Sequence, residues 1–188
     1  RRNTRCPTGP TGQGRTMIVN VTHFNVAKNG HGLQFPRRIC LHTTESSDRQ
    51  GESGLDDCIN VMNYWQRQGK GFGTQLLVNK WGLRARYVFD KRVAWGAAGA
   101  NEETLHLEII GRASFTKLYW FTRLTQLRAV AQILATWSQE WDIPLVVSVE
   151  RGVFTHAMAS AAFGKSDHTD PGRGFPLGFV MRLARRRL

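Results

Sequence analysis

Hydrophobic and polar positions divide the chain into short strands and a few helices. Residues 17–26 alternate weakly and are β-branched, which predicts a strand. Asn29-Gly30-His31-Gly32 reads as a turn, with His31 a solvated loop residue. Residues 38–43 form a short strand ending at His42 and residues 45–54 a polar loop, and Ser53 with Asp56 resembles a helix N-cap followed by an acidic first turn. Leu55, Cys58, Ile59, Met62 and Trp65 then recur at helical spacing, predicting one amphipathic helix that ends near Gly69-Lys70-Gly71. Residues 73–79 and 83–90 read as strands flanking Trp81-Gly82, a hairpin.

Residues 93–101 are small and glycine-rich, too irregular for a helix. Residues 104–111 predict a strand with Leu105, Leu107 and Ile109 on one face and His106 and Glu108 on the other. Trp120, Leu124, Leu127, Ala131, Leu134 and Trp141 mark one long amphipathic helix to about Asp142, stopped by Pro144. Residues 145–149 read as a short buried strand leading into Gly152-Val153-Phe154-Thr155-His156. Strands separated by helices predict an α/β fold, and the hairpin makes its central sheet mixed.

With 188 residues, 41% hydrophobic and 10% aromatic, the chain suits one folded domain. The expected organisation is an N-terminal arm over residues 1–16, one folded domain over 17–180 and a basic tail over 181–188 that begins a linker. No apolar run approaches the roughly 20 residues of a membrane span, and the basic start leads into no apolar signal segment. Neither membrane insertion nor a signal peptide is therefore expected. A net charge of +12 invites an anionic partner such as nucleic acid, a membrane surface or an acidic envelope polymer. The basic residues are scattered, however, and no nucleic-acid-binding signature accompanies them. Cys6, Cys40 and Cys58 have no paired spacing and imply no disulfide framework. Cys40 shares a strand face with His42, but a buried thiol acting as a small hydrophobe is the simpler reading.

Candidate chemistry gathers near the C-terminus. His156, then His168-Thr169-Asp170-Pro171-Gly172, bring imidazoles and a carboxylate together among glycines and prolines. A hydrolytic zinc site takes three protein ligands and keeps a fourth position open. His156 and Asp170 supply two, and His42 is the best-placed third; each taken alone also reads as an ordinary hydrogen-bonded histidine or a turn aspartate. Glu108 is an acid flanked by apolar residues on a buried strand. Unpaired burial there would raise its pKa and suit a proton acceptor, whereas pairing with an arginine would make it structural.

The ordered set resembles the type-2 N-acetylmuramoyl-L-alanine amidases, which include phage endolysin domains and share the fold of peptidoglycan recognition proteins. It consists of the strand histidine, Ala94-Trp95-Gly96-Ala97-Ala98-Gly99-Ala100-Asn101, Glu108 three before Gly111, Gly152-x-x-x-His156 and Thr169-Asp170-Pro171-Gly172, over residues 35–176. His-Thr-Asp-Pro-Gly further resembles endolysins of actinobacteriophages, mycobacteriophages among them. The resemblance implies a mixed sheet flanked by helices, a Zn²⁺ cofactor and cleavage of the amide joining muramic acid to the first L-Ala of the stem peptide.

By position it makes His42, His156 and Asp170 the zinc ligands and Glu108 the catalytic glutamate. His168, where many members have a lysine two residues before the third ligand, becomes an oxyanion donor or a competing ligand. Asn101 and Arg173 are the expected substrate contacts. Gly96 departs from the family, which often has histidine there. The implied partner is bacterial peptidoglycan, met by a monomer made in a phage's host cytoplasm. A peptidoglycan-binding module that does not cut and a basic nucleic-acid-binding domain are the alternatives.

Overall fold

The computed structural model describes residues 19–20, 30–46, 54–68 and 73–188. The N-terminal arm with Cys6, most of the first predicted strand, the Ser53 cap and the glycines after the first helix lie outside the described residues.

Among the described residues, six strands form the main sheet, in the order β1-β5-β4-β7-β3-β8. These are β1 (Val19–Asn20), β3 (Arg38–Thr43), β4 (Leu76–Val78), β5 (Arg84–Arg86), β7 (Thr104–Ile109) and β8 (Val153–Thr155). Every pairing is parallel except the β4–β5 hairpin, so the sheet is mixed, as the sequence predicts. β2 (His31–Leu33) and β6 (Arg92–Val93) make a separate antiparallel pair. His31 is thus exposed but belongs to a strand rather than a loop.

Period-two patterning assigns each sheet face its role. Ile39 and Leu41 of β3 join Leu105, Leu107 and Ile109 of β7 beneath α3 (Leu124–Trp141) and α5 (Leu177–Arg185). Each fully buried leucine or isoleucine contributes about 1.5–3 kcal/mol relative to exposure. On the opposite face, α1 (Gly54–Gln68) packs Cys58 and Met62 against Leu77 and Tyr87. α4 (His156–Phe163) places Ala159 beside Cys40 and Phe154. Between α1 and α4 the same face carries His42, His106 and Glu108.

Three predicted elements differ. The long helix is two, α2 (Lys117–Phe121) and α3, because the chain breaks at Thr122-Arg123. There the Arg123 guanidinium donates to the Ile110 carbonyl at 3.2 Å and lies over the Phe115 ring. At its other end α3 stops at Asp142, whose φ of 52° is left-handed and whose N–H returns to the Ser138 carbonyl, two residues before Pro144. Residues 145–149 are not a buried strand: Val146 and Val147 are half exposed, and only a single bridge joins Val147 to Val153. The Ser148 hydroxyl accepts from the Glu150 and Arg151 amides, curling this segment into a turn.

The tail expected from residue 181 is largely helical. α5 continues to Arg185, buries Val180, Met181 and Ala184, and donates from Arg185 to the Leu145 carbonyl. Its charges mask an apolar stripe at helical spacing.

Candidate active site

The parallel β3–β7 register sets His42 beside Glu108 and Cys40 beside His106. His42 lies one residue from the C-terminal end of β3, at the edge of the sheet where crevices of open α/β folds form. His156 is the first residue of α4, immediately after β8, and the Thr155 side chain caps that helix by accepting from the Met158 amide. Asp170 arrives from the turn that follows. The Thr43 amide donates to its Oδ2 at 3.2 Å, and its carbonyl accepts from the Ala157 amide at 3.0 Å. Gly172, at φ 79°, has no room for a side chain, since a Cβ would lie 1.9 Å from the Ala113 carbonyl oxygen.

These elements bring three residues from distant parts of the chain to one point. Nδ1 of His42 lies 3.1 Å from Nδ1 of His156 and 3.4 Å from Oδ2 of Asp170. Nδ1 of His156 is 3.2 Å from Oδ1 of Asp170. All three are buried and form a group able to hold a metal ion; Cys40, His42 and His106 form a second. Burial lowers the pKa of His42 despite the adjoining Asp170. For Asp170, burial acts upward, but hydrogen bonds with His156 and His42 outweigh it and hold the carboxyl below the usual carboxylate range. Burial, with Asp170 and Glu108 nearby, drives the Cys40 thiol well up, which opposes the thiolate that a metal ligand must be.

Glu108 projects from β7 into the same cleft, of about 490 Å³, which His42, His156, His168, Asp170, Trp95 and Asn101 also line. Its Oε2 is sealed from solvent and has no hydrogen-bond partner among the described residues. Burial, then Asp170 and Glu45, push its pKa well above the ordinary value. No arginine among the described residues pairs with this carboxylate. His168 is more exposed, stacks on His156 with ring centroids 4.2 Å apart, and points Nδ1 to within 3.4 Å of Asp170 Oδ1.

The two expected substrate contacts fare differently. Asn101 lines this cleft and also an adjoining groove, and its Oδ1 accepts from the Ala97 amide at 2.9 Å. Arg173 is exposed and lines neither.

Two site residues escaped the sequence reading. Glu45, at φ 53°, accepts from the Thr43 hydroxyl and the Ala113 amide through Oε1, bracing the loop after β3. Nothing in its neighbours signals that role. Period-two alternation puts His106 on the Glu108 face without indicating a role, and the structure sets its Nδ1 3.0 Å from His42 Nε2. The departure at Gly96 has a structural reason: a Cβ there would come within 2.6 Å of the His106 ring.

A cleft at the C-terminal edge of a mixed sheet, with two imidazoles and a carboxylate beside an unpaired glutamate, is the architecture of a hydrolase. More particularly, the chain belongs to the N-acetylmuramoyl-L-alanine amidase family, whose profile matches residues 23–173. Among curated proteins, none matches the chain by sequence. Solved structures share its fold. The N-acetylmuramoyl-L-alanine amidase LysC from Clostridium intestinale URNW superposes with a TM-score of 0.62 at 17% identity, over 88% of this chain and 95% of that one. The Ph2119 endolysin of Thermus scotoductus MAT2119 bacteriophage Ph2119 gives 0.62 at 15% identity, over 89% and 99%. Apis mellifera PGRP-SA gives 0.62 at 12%, over 85% and 92%.

Proposed function

We propose that this chain is a zinc-dependent peptidoglycan amidase that hydrolyses the bond between the lactyl group of N-acetylmuramic acid and L-Ala. The observation that carries the reading is the convergence of His42, His156 and Asp170 beside Oε2 of Glu108, which has no hydrogen-bond partner among the described residues. The donor set fits zinc: two imidazole nitrogens and a carboxylate suit a site with three protein ligands. Once bound there, zinc would polarise a carbonyl and make water a stronger nucleophile at neutral pH.

The chain's own residues supply the proton transfers. Glu108 takes a proton from the attacking water as the new C–O bond forms. It returns that proton to the amide nitrogen as the C–N bond breaks, releasing the L-Ala amine. Burial without a partner suits both halves, because the raised pKa favours holding the proton between them. His168, exposed at the rim and stacked on His156, donates to the developing oxyanion. Asp170 already brings a carboxylate to the point where Nδ1 of His42 and His156 meet, so a ligand role for His168 is not needed.

The setting proposed is phage-mediated lysis of an actinobacterial host, with synthesis in the host cytoplasm and action on the wall. Fold likeness to the Ph2119 endolysin and the His-Thr-Asp-Pro-Gly run support it. No helix among the described residues is long and apolar enough to cross a membrane. Digestion of purified peptidoglycan tests the activity: newly freed alanine amines should appear with zinc and vanish with chelator. Wall binding without new amines would instead identify a non-cutting recognition module.

A further inference from the structure

On the face of β7 that carries Glu108, His106 has no role in the hydrolysis proposed above. It is fully buried, and its backbone lies between Cys40 of β3 on one side and Gln75 on the other. Its amide donates to Gln75 Oε1 at 2.6 Å, and its carbonyl accepts from the Gln75 amide at 3.1 Å. Its Nδ1 faces Nε2 of His42 across 3.0 Å. Gly96 keeps this arrangement possible, since a Cβ there would meet His106 Nδ1 at 2.6 Å and Cγ at 2.7 Å.

We infer that His106 is a positioning residue for His42: its Nδ1 accepts the Nε2 proton of His42 and so keeps the lone pair of His42 Nδ1 turned toward His156 and Asp170. The inference rests on the metal reading above. A neutral imidazole carries one donor and one acceptor nitrogen. When Nδ1 of His42 serves as a ligand, its proton must sit on Nε2, where His106 Nδ1 lies in hydrogen-bond reach. Metal-bound imidazoles usually give that proton to a carbonyl or carboxylate, which can only accept. An imidazole can also donate. In the metal-free chain the His42 proton can shift to Nδ1, facing Asp170 Oδ2 at 3.4 Å, while Nδ1–H of His106 becomes the donor. The same contact therefore holds the His42 ring in place whether the site is filled or empty.

The test is zinc affinity of the metal-stripped chain, measured by competition with a fluorescent chelator, which needs no turnover. H106L should weaken binding by about 10–100-fold. H106N, whose Oδ1 replaces the Nδ1 acceptor, should stay within about threefold of the parent chain. G96A keeps every imidazole but crowds the His106 ring, and should lose about tenfold; this guards against misfolding of H106L. In the zinc-loaded parent, nitrogen-resolved NMR should show a protected Nε2–H on His42 that disappears in H106L.

Equal zinc affinity in the parent, H106L and G96A would overturn the inference while leaving the amidase reading intact. Two zinc ions per chain, one of them lost in both C40S and H106L, would overturn it by making His106 a ligand. A parent chain that binds no zinc would overturn the metal reading and this inference together.

Discussion

Replacing Glu108 by Gln keeps the side chain's shape and removes its ability to take a proton. Because Oε2 of Glu108 makes no hydrogen bond among the described residues, the substitution breaks none of their contacts at that atom. Glu108 also lies outside the His42, His156, Asp170 group, so zinc content should not change. What is lost is general base and acid catalysis, worth about 10²–10⁴-fold. At about 1.4 kcal/mol per decade, that is roughly 3–5 kcal/mol of barrier. The same change should stabilise the metal-free fold at neutral pH. Burial raises the Glu108 pKa above its unfolded value. Such a group contributes its stability below the unfolded pKa and loses it as pH rises through the folded one. Metal-free Glu108→Gln should therefore melt above the parent at pH 8 and match it near pH 4. The assays are amine release from purified peptidoglycan, zinc analysis, and thermal unfolding in chelator at both pH values. Turnover within a few-fold of the parent would refute the proton-transfer role. A melting difference independent of pH would refute the account of the buried charge.

Chelation should abolish cleavage and added zinc restore it, with His42→Ala unable to recover because two ligands hold the ion poorly; full activity in a metal-free sample would end the zinc reading. His168→Ala should keep one zinc per chain but lose on the order of 10²-fold in rate, partly restored in His168→Lys. Zinc lost from His168→Ala yet retained in Asp170→Ala would make His168 the third ligand. With a net charge of +12, cell-wall binding should weaken as salt shortens the Debye length toward about 10 Å at 0.1 M, while cleavage of a small soluble muropeptide responds far less. Equal salt sensitivity for the two substrates would remove the basic surface from wall encounter.

The parts of the fold legible in the sequence are those where a single periodicity governs burial. Residues 38–43 and the alternation around Glu108 gave β3 and β7 directly, because one face of each strand packs under α3. Legibility failed where a tertiary contact overrode the local pattern. The apolar stripe from Trp120 to Trp141 runs through the break at Arg123, because only the folded sheet offers its guanidinium the Ile110 carbonyl. α5 was hidden by arginines that lie on its outer side while Val180, Met181 and Ala184 face the core. At the site, residue types and order pointed to His42, His156 and Asp170, and the structure brings them together. The His42–His106 contact could not be read in advance, since it depends on the β3–β7 register and on the missing side chain at Gly96.

That register ties the chemistry to the stability of the sheet. A slip of one residue between β3 and β7 would exchange faces, burying Glu108 under α3 and turning Leu107 into the cleft. Ile39, Leu41, Leu105, Leu107 and Ile109 oppose that slip, since each would leave the apolar layer it now fills. Buried imidazoles act the other way in the metal-free chain. The pKa values of His42 and His106 are lowered by burial, so folding must keep both rings neutral. Their contribution to stability is present above the unfolded value of about 6.5 and is lost as pH falls toward the folded ones. A bound ion that takes up the His42 lone pair would oppose that loss, because anything binding only the folded state stabilises it by mass action. The apolar face of β3 and β7 thus fixes where the polar face points, and occupation of the polar face in turn secures the fold.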